Sequence, residues 1–249
     1  MTRFRRFLAV LGIGAASATA CADMPTFDLA PDRPEAFGYK VNWFAVRASD
    51  PASVANALDI GPGVPANWAS GMAAAYGRIS ATDRRSWIFL SSPVKGWVFV
   101  VGSSLPYPVM HTADRHGGIG QKFDTMLSRL TRNFPEVQFF GSYRVVGFVA
   151  WVRAQKEKPM RVFAFGDGDV YANIGDQTQE EASLHFPNLS GLSPRAASER
   201  LFSVNGKLPG ETDVLRLAAL WSLDPAQLPD VDTPLSLGLV VELPKALGQ

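Results

Sequence analysis

Asp114, His116 and His111 place one carboxylate and two imidazoles within a single short stretch. These are the residue types a hydrolase uses when a histidine base is oriented by an acid. They fall in residues 105–120, where Pro106, Pro108, Gly117 and Gly118 break any hydrophobic period. Such a stretch reads as a long loop, the kind of segment in which function concentrates when a rigid scaffold holds it. No Gly-x-Ser-x-Gly elbow or other nucleophile motif accompanies it, and Asp-Arg-His-Gly-Gly is equally the composition of a solvated turn. No catalytic residue is therefore assigned; Asp114 and His116 are the candidates if the chain catalyses a reaction. His111 and Arg115 in this loop, with Tyr143 and Arg144 between two apolar runs, are instead expected to bind a partner, because aromatic and arginine side chains carry most interface energy.

Other groupings have structural explanations. Asp167, Asp169, Asn173 and Asp176 supply oxygens of the kind calcium prefers, but Tyr171 and Ala172 break the spacing of a calcium loop. Asp167-Gly168 is also a strong hairpin turn. Histidines at 111, 116 and 185, with Cys21 as the only cysteine, give no zinc pattern. Neither a metal nor a cofactor is expected. Thr178 with Glu181 three residues later is a capping box, so Glu180 and Glu181 read as helix-start residues. The 6 Trp and 16 Phe fall mostly inside strand and helix stripes, which makes them core.

The elements that must position these residues centre on residues 136–172. Runs rich in Val, Phe, Tyr and Trp, split by turn residues, predict a four-strand antiparallel meander. Residues 87–90 and 96–102 predict a hairpin whose second strand, wholly apolar, is buried on both faces. Residues 39–46 read as a first strand and 235–243 as a last one at an edge. Phe123, Met126, Leu127, Leu130 and Phe134 form one face of a helix over 121–134 that Pro135 stops. Asp50-Pro51 and Asn67 open two earlier helices, Ser193-Pro194 opens a later one, and 213–221 is a buried helix. The expected fold is α+β: one domain with a mostly antiparallel sheet, hairpin plus four-strand meander, and packed helices. No internal repeat is present, so neither a propeller nor a solenoid is expected.

The chain opens as an export signal. Arg3, Arg5 and Arg6 precede an apolar run and a stretch of small residues, so 1–20 read as a signal peptide. The apolar run is too short to span a bilayer. Ala18-Thr19-Ala20-Cys21 resembles a bacterial lipobox, with Ala18 where leucine is usual, and makes Cys21 the lipidation candidate; ordinary cleavage after Ala20 or Ala22 is the alternative. Arg5-Arg6-Phe7-Leu8 resembles a twin-arginine signal with its Phe-Leu pair one place early, which favours plain Sec export. Residues 21–38, with Pro25, Pro31 and Pro34, read as an extended tether, and 39–249 as the globular domain. Loss of three arginines from 24 basic residues, against 23 acidic, leaves a mature net charge near −2. That balance excludes nucleic acid as a partner and gives no basic attraction to a membrane, which the chain would meet only through a lipid on Cys21.

Asn67-Trp68-Ala69-Ser70-Gly71, Gly96-Trp97-Val98, Val137 to Gly141, Tyr143 to Val146, Trp151, Thr178-x-x-Glu181 and Trp221-Ser222-x-Asp224-Pro225 together resemble a family of bacterial exported proteins to which no activity is attached. The resemblance covers most of residues 40–230 and implies a single domain and no particular chemistry. With the export signal, these features lead to the expectation of a cell-envelope binding protein, periplasmic or lipid-anchored, with a protein partner. An immunity-type or inhibitor lipoprotein is one form of it. A periplasmic hydrolase using the Asp114 and His116 loop, or a structural envelope lipoprotein, is the alternative.

Overall fold

A computed structural model describes residues 25–78, 83–110, 117–203 and 208–249. Residues 1–20, expected to be a signal peptide, Cys21 and the candidates His111, Asp114, Arg115 and His116 lie outside the described residues.

In chain order, the first half runs β1 (Val41–Arg47), α1 (Pro51–Leu58), β2 (Val64–Ala66), α2 (Trp68–Ala75), β3 (Trp87–Leu90), β4 (Trp97–Gly102) and α3 (Ile119–Asn133). The second half runs β5 (Glu136–Tyr143), β6 (Phe148–Gln155), β7 (Lys158–Gly166), β8 (Asp169–Ile174), α4 (Gln179–Ser183), α5 (Pro194–Ser203), α6 (Glu211–Trp221) and β9 (Gly238–Glu242). Short 3-10 turns cover Arg144–Val146 and Pro225–Asp230. Among the described residues the strands form one nine-stranded antiparallel sheet in the order β2-β9-β3-β4-β1-β5-β6-β7-β8. The fold is α+β in a single body, as expected. β1 joins the two predicted pieces, pairing with hairpin strand β4 on one side and meander strand β5 on the other.

The sheet is covered on both faces, which is why so many strands lack a polar alternation. Within β1 the period of two sends Val41, Trp43 and Ala45 to one core and Phe44 and Val46 to the other. α1 and α3 cover the Phe44 face through Val54, Leu58, Phe123, Met126 and Leu130. α2, α5 and α6 cover the Trp43 face through Trp68, Met72, Leu201, Val214 and Trp221. Close approach of α2 depends on Gly71, where a Cβ would run into the Phe89 ring.

Three expectations need correction. β9 is not an edge strand: it pairs with β3, and the three-residue β2 pairs along its other side. The pattern of an interior strand and of a half-buried edge differ little over five residues, so sequence alone could not place it. Residues 25–38, read as tether, lie along the body over the described part. Phe37 is buried in the Trp43 core, and the Asp32 carboxylate accepts from the backbone N–H groups of Trp68 (2.7 Å) and Ala69 (3.0 Å). Those are orphan donors at the start of α2, where the helix dipole also favours a carboxylate. The third is small: α3 begins at Ile119, after Gly118 with φ 78°, two residues before the expected start.

Candidate functional site

At one end of the sheet a cavity of about 420 Å³ opens where β1, β5, β6, β7 and β8 begin or end. Its lining includes Lys40, Asn42, Tyr107, Tyr143, Asp167 and Tyr171. Asp167 is positioned by a local feature of the sequence. Asp167 (φ 49°) and Gly168 (φ 83°) make the turn between β7 and β8, the Asp-Gly hairpin read from sequence, and Asp167 N–H donates to Val146 O at 2.9 Å. That bond fastens the β7–β8 turn to the β5–β6 connection. The Tyr171 hydroxyl donates to Asp167 Oδ2 at 3.0 Å.

The loop after β4 closes another side. Asn42 Nδ2 and Gln249 Nε2 both donate to Leu105 O, at 2.7 and 2.6 Å, and Met110 N–H donates to Tyr171 O at 2.9 Å. The loop therefore runs beside β8, covers part of its free edge and brings Tyr107 against Phe148 with ring centroids 4.8 Å apart. Asn42 can lie flat here because its neighbour across β1 and β5 is Gly141; a Cβ there would strike the Asn42 carboxamide oxygen.

Burial, then the hydrogen bond to Asp167 and its charge, push the Tyr171 phenol well above its ordinary value. Burial and the Asp167 charge raise Tyr107 likewise. Both phenols are thus neutral hydrogen-bond donors at physiological pH rather than bases or nucleophiles. Of the hydroxyls on the lining, Ser142 donates to Gly38 O at 3.0 Å and is committed to holding the chain before β1.

The mouth is rimmed by exposed side chains. Tyr39 is 47% exposed, Tyr143 44%, Val145 71% and Val146 41%, and Arg144 is exposed beside them. Of the expected binding residues, the structure thus brings Tyr143 onto the cavity lining and Arg144 to its rim. The sequence reading missed Lys40, Tyr107, Tyr171 and the second role of Asp167. Tyr107 lay inside the flagged loop; Lys40 and Tyr171 carried no local signal, because only strand pairing brings them near residue 143.

A second polar cluster is structural. Glu181 Oε1 accepts from Trp151 Nε1 (2.8 Å) and Arg161 Nε (2.9 Å), while Oε2 accepts from Thr178 N–H (2.8 Å). Arg161 Nη1 donates to Asn173 Oδ1 at 2.8 Å, and Asn173 Nδ2 donates to Leu189 O and Leu192 O. Glu181 does start α4 as the capping box predicted, and its carboxylate also ties the 175–192 segment to the sheet. Trp43, Trp68 and Trp151 are fully buried, in keeping with the core reading of the aromatics.

Among the described residues no cluster of three or more His, Cys, Asp or Glu is placed to hold a metal ion. No helix among them is long and apolar enough to cross a membrane. No protein-family model, no curated protein and no solved structure matches this chain.

Proposed function

We propose that the protein is a binding protein of the bacterial cell envelope and that it engages its partner with the cavity end of the sheet. The observation that carries this reading is the coincidence, at one end of the sheet, of a 420 Å³ cavity with the exposed run Tyr143 to Val146. An aromatic, an arginine and two valines stand exposed together at the tip of a strand pair, and the aromatic and the arginine are the residue types enriched in interfaces. The export signal and Cys21 support the envelope as the place of action. Within this reading, an immunity-type or inhibitor lipoprotein is the form with a protein partner, and Cys21 is its lipid anchor.

The test is site-specific photo-crosslinking in cells. A crosslinker replacing Val145 should give a discrete protein adduct, whereas one replacing Glu157, in the turn at the opposite end of β6, should give none. Equal labelling from both ends, or none from Val145, overturns the reading. Mass spectrometry of the envelope fraction should find a diacylglyceryl group on Cys21, and an unmodified N-terminus after Ala22 would end the lipoprotein part. Turnover of an ester, peptide or glycoside substrate by the purified protein, abolished by His116→Ala at unchanged melting temperature, would replace binding with hydrolysis.

A further inference from the structure

We infer that the sheet-end cavity is a receptor for a short zwitterionic peptide of two or three residues, with Asp167 accepting the ligand's α-ammonium and Lys40 its α-carboxylate. The inference rests on the reading of this end of the sheet as a binding site and names the ligand chemistry that the site fits.

Lys40 and Asp167 carry opposite charges onto one cavity, both are exposed, and among the described residues neither is in an ion pair. A simple anion would meet Lys40 but be repelled by Asp167, and a simple cation the reverse. A ligand with both charges uses both groups. The Asp167 carboxylate is held in place before any ligand arrives. Tyr171 occupies Oδ2 and the backbone bond to Val146 fixes the turn, so Oδ1 is left for an incoming ammonium. A preset acceptor loses little freedom on binding.

The strand order decides the size of the ligand. β5 and β6 lie between β1 and β7, so three inter-strand steps separate the backbones near Lys40 and Asp167, roughly 14 Å at about 4.8 Å each. The long lysine stem and the short aspartate take up part of that span. Two or three extended residues at about 3.3–3.6 Å each fit within that span, which sets an upper bound on the ligand's length. Between the charges stand the Tyr107 and Phe148 rings for a ligand side chain and the Ser103 hydroxyl for its amide. The volume lies within the range of small-ligand pockets, about 300–1,000 Å³.

The test uses the purified mature protein, titrated by calorimetry and followed by NMR, with alanyl-phenylalanine and alanyl-phenylalanyl-alanine as probes. The N-acetyl and C-amide derivatives of each serve as matched controls. A free peptide should bind with shifts at Tyr107 and Tyr171, and either blocked derivative should bind about tenfold more weakly or worse, the loss of one charge-assisted contact. Asp167→Asn should lower free-peptide affinity to that of the N-acetyl form and leave the N-acetyl form unchanged. Lys40→Met should do the same with respect to the amide. Both side chains are exposed, so unchanged melting temperatures check the fold. Equal binding of free and blocked peptides, or no binding of any, overturns the inference. If the Val145 crosslink persists in that case, the binding reading stands and only the peptide assignment falls.

Discussion

Arg161 Nε donates to Glu181 Oε1 at 2.9 Å across a pair of which only 2% and 1% of the side chains remain exposed. A buried ion pair of this kind adds little net stability over apolar residues of the same shape, but breaking it leaves a buried charge without a partner. Glu181→Leu should therefore cost about 3–5 kcal/mol, since it strands Arg161 and the Trp151 indole together. Adding Arg161→Met should restore part of the loss. Urea denaturation of the single and double variants measures both; a single-variant cost under about 1 kcal/mol would mean that water reaches the pair.

Asp32→Ala should destabilise the fold by about 1 kcal/mol, the usual worth of a carboxylate on helix N-terminal donors. It should also loosen residues 25–36. Limited proteolysis reads the second effect: faster cleavage there, with no change elsewhere, is the expected outcome, and an unchanged pattern would show that Phe37 and the bonds from Asn67 to Asp28 O and Ala30 O hold the segment without the Asp32 carboxylate.

Leu127 and Phe123 face the sheet from α3 at 7% and 1% exposure. Leu127→Ala should cost about 2–5 kcal/mol through lost burial and the space left behind. Thr125→Ala on the exposed side of the same helix should stay within about 0.5 kcal/mol. Thermal melts of the two variants test this, and equal shifts would contradict the packing.

Stability should decline above about pH 10. Folding raises the phenols of Tyr76, Tyr107 and Tyr171, chiefly through burial. The unfolded chain releases these protons near the ordinary value of 10.0, whereas the folded chain keeps them to higher pH. The unfolded state then binds fewer protons, so the stabilisation is complete below pH 10 and drains away above it. Denaturation midpoints between pH 8 and 12 should fall less steeply for Tyr171→Phe than for the natural chain. Parallel curves would remove Tyr171 as a contributor.

The sequence by itself determined the elements. Alternation and apolar runs gave the hairpin and the meander, a three-and-four spacing gave α3, and short-range polar motifs gave the caps at Asp50, Asn67 and Thr178, because each of these rests on neighbours a few positions away. The Asp167-Gly168 turn was equally local. Tertiary structure alone decided what joins distant positions. Insertion of β1 between β4 and β5 sets Lys40 beside residue 142, the meander's pairing carries Asp167 and Tyr171 to the same end, and packing turns Glu181 from a helix-start residue into the counterion of Arg161. Residues 25–38 look like a tether because their prolines forbid regular structure. They lie on the body because the Asp32 carboxylate meets N–H groups at a helix start 36 residues away, Asn67 bonds the carbonyls of Asp28 and Ala30, and Phe37 enters the core. Long-range pairings of this kind leave no period in the chain, since the residues that meet share no local spacing, and for that reason the cavity was legible only at Tyr143 and in the loop that holds Tyr107.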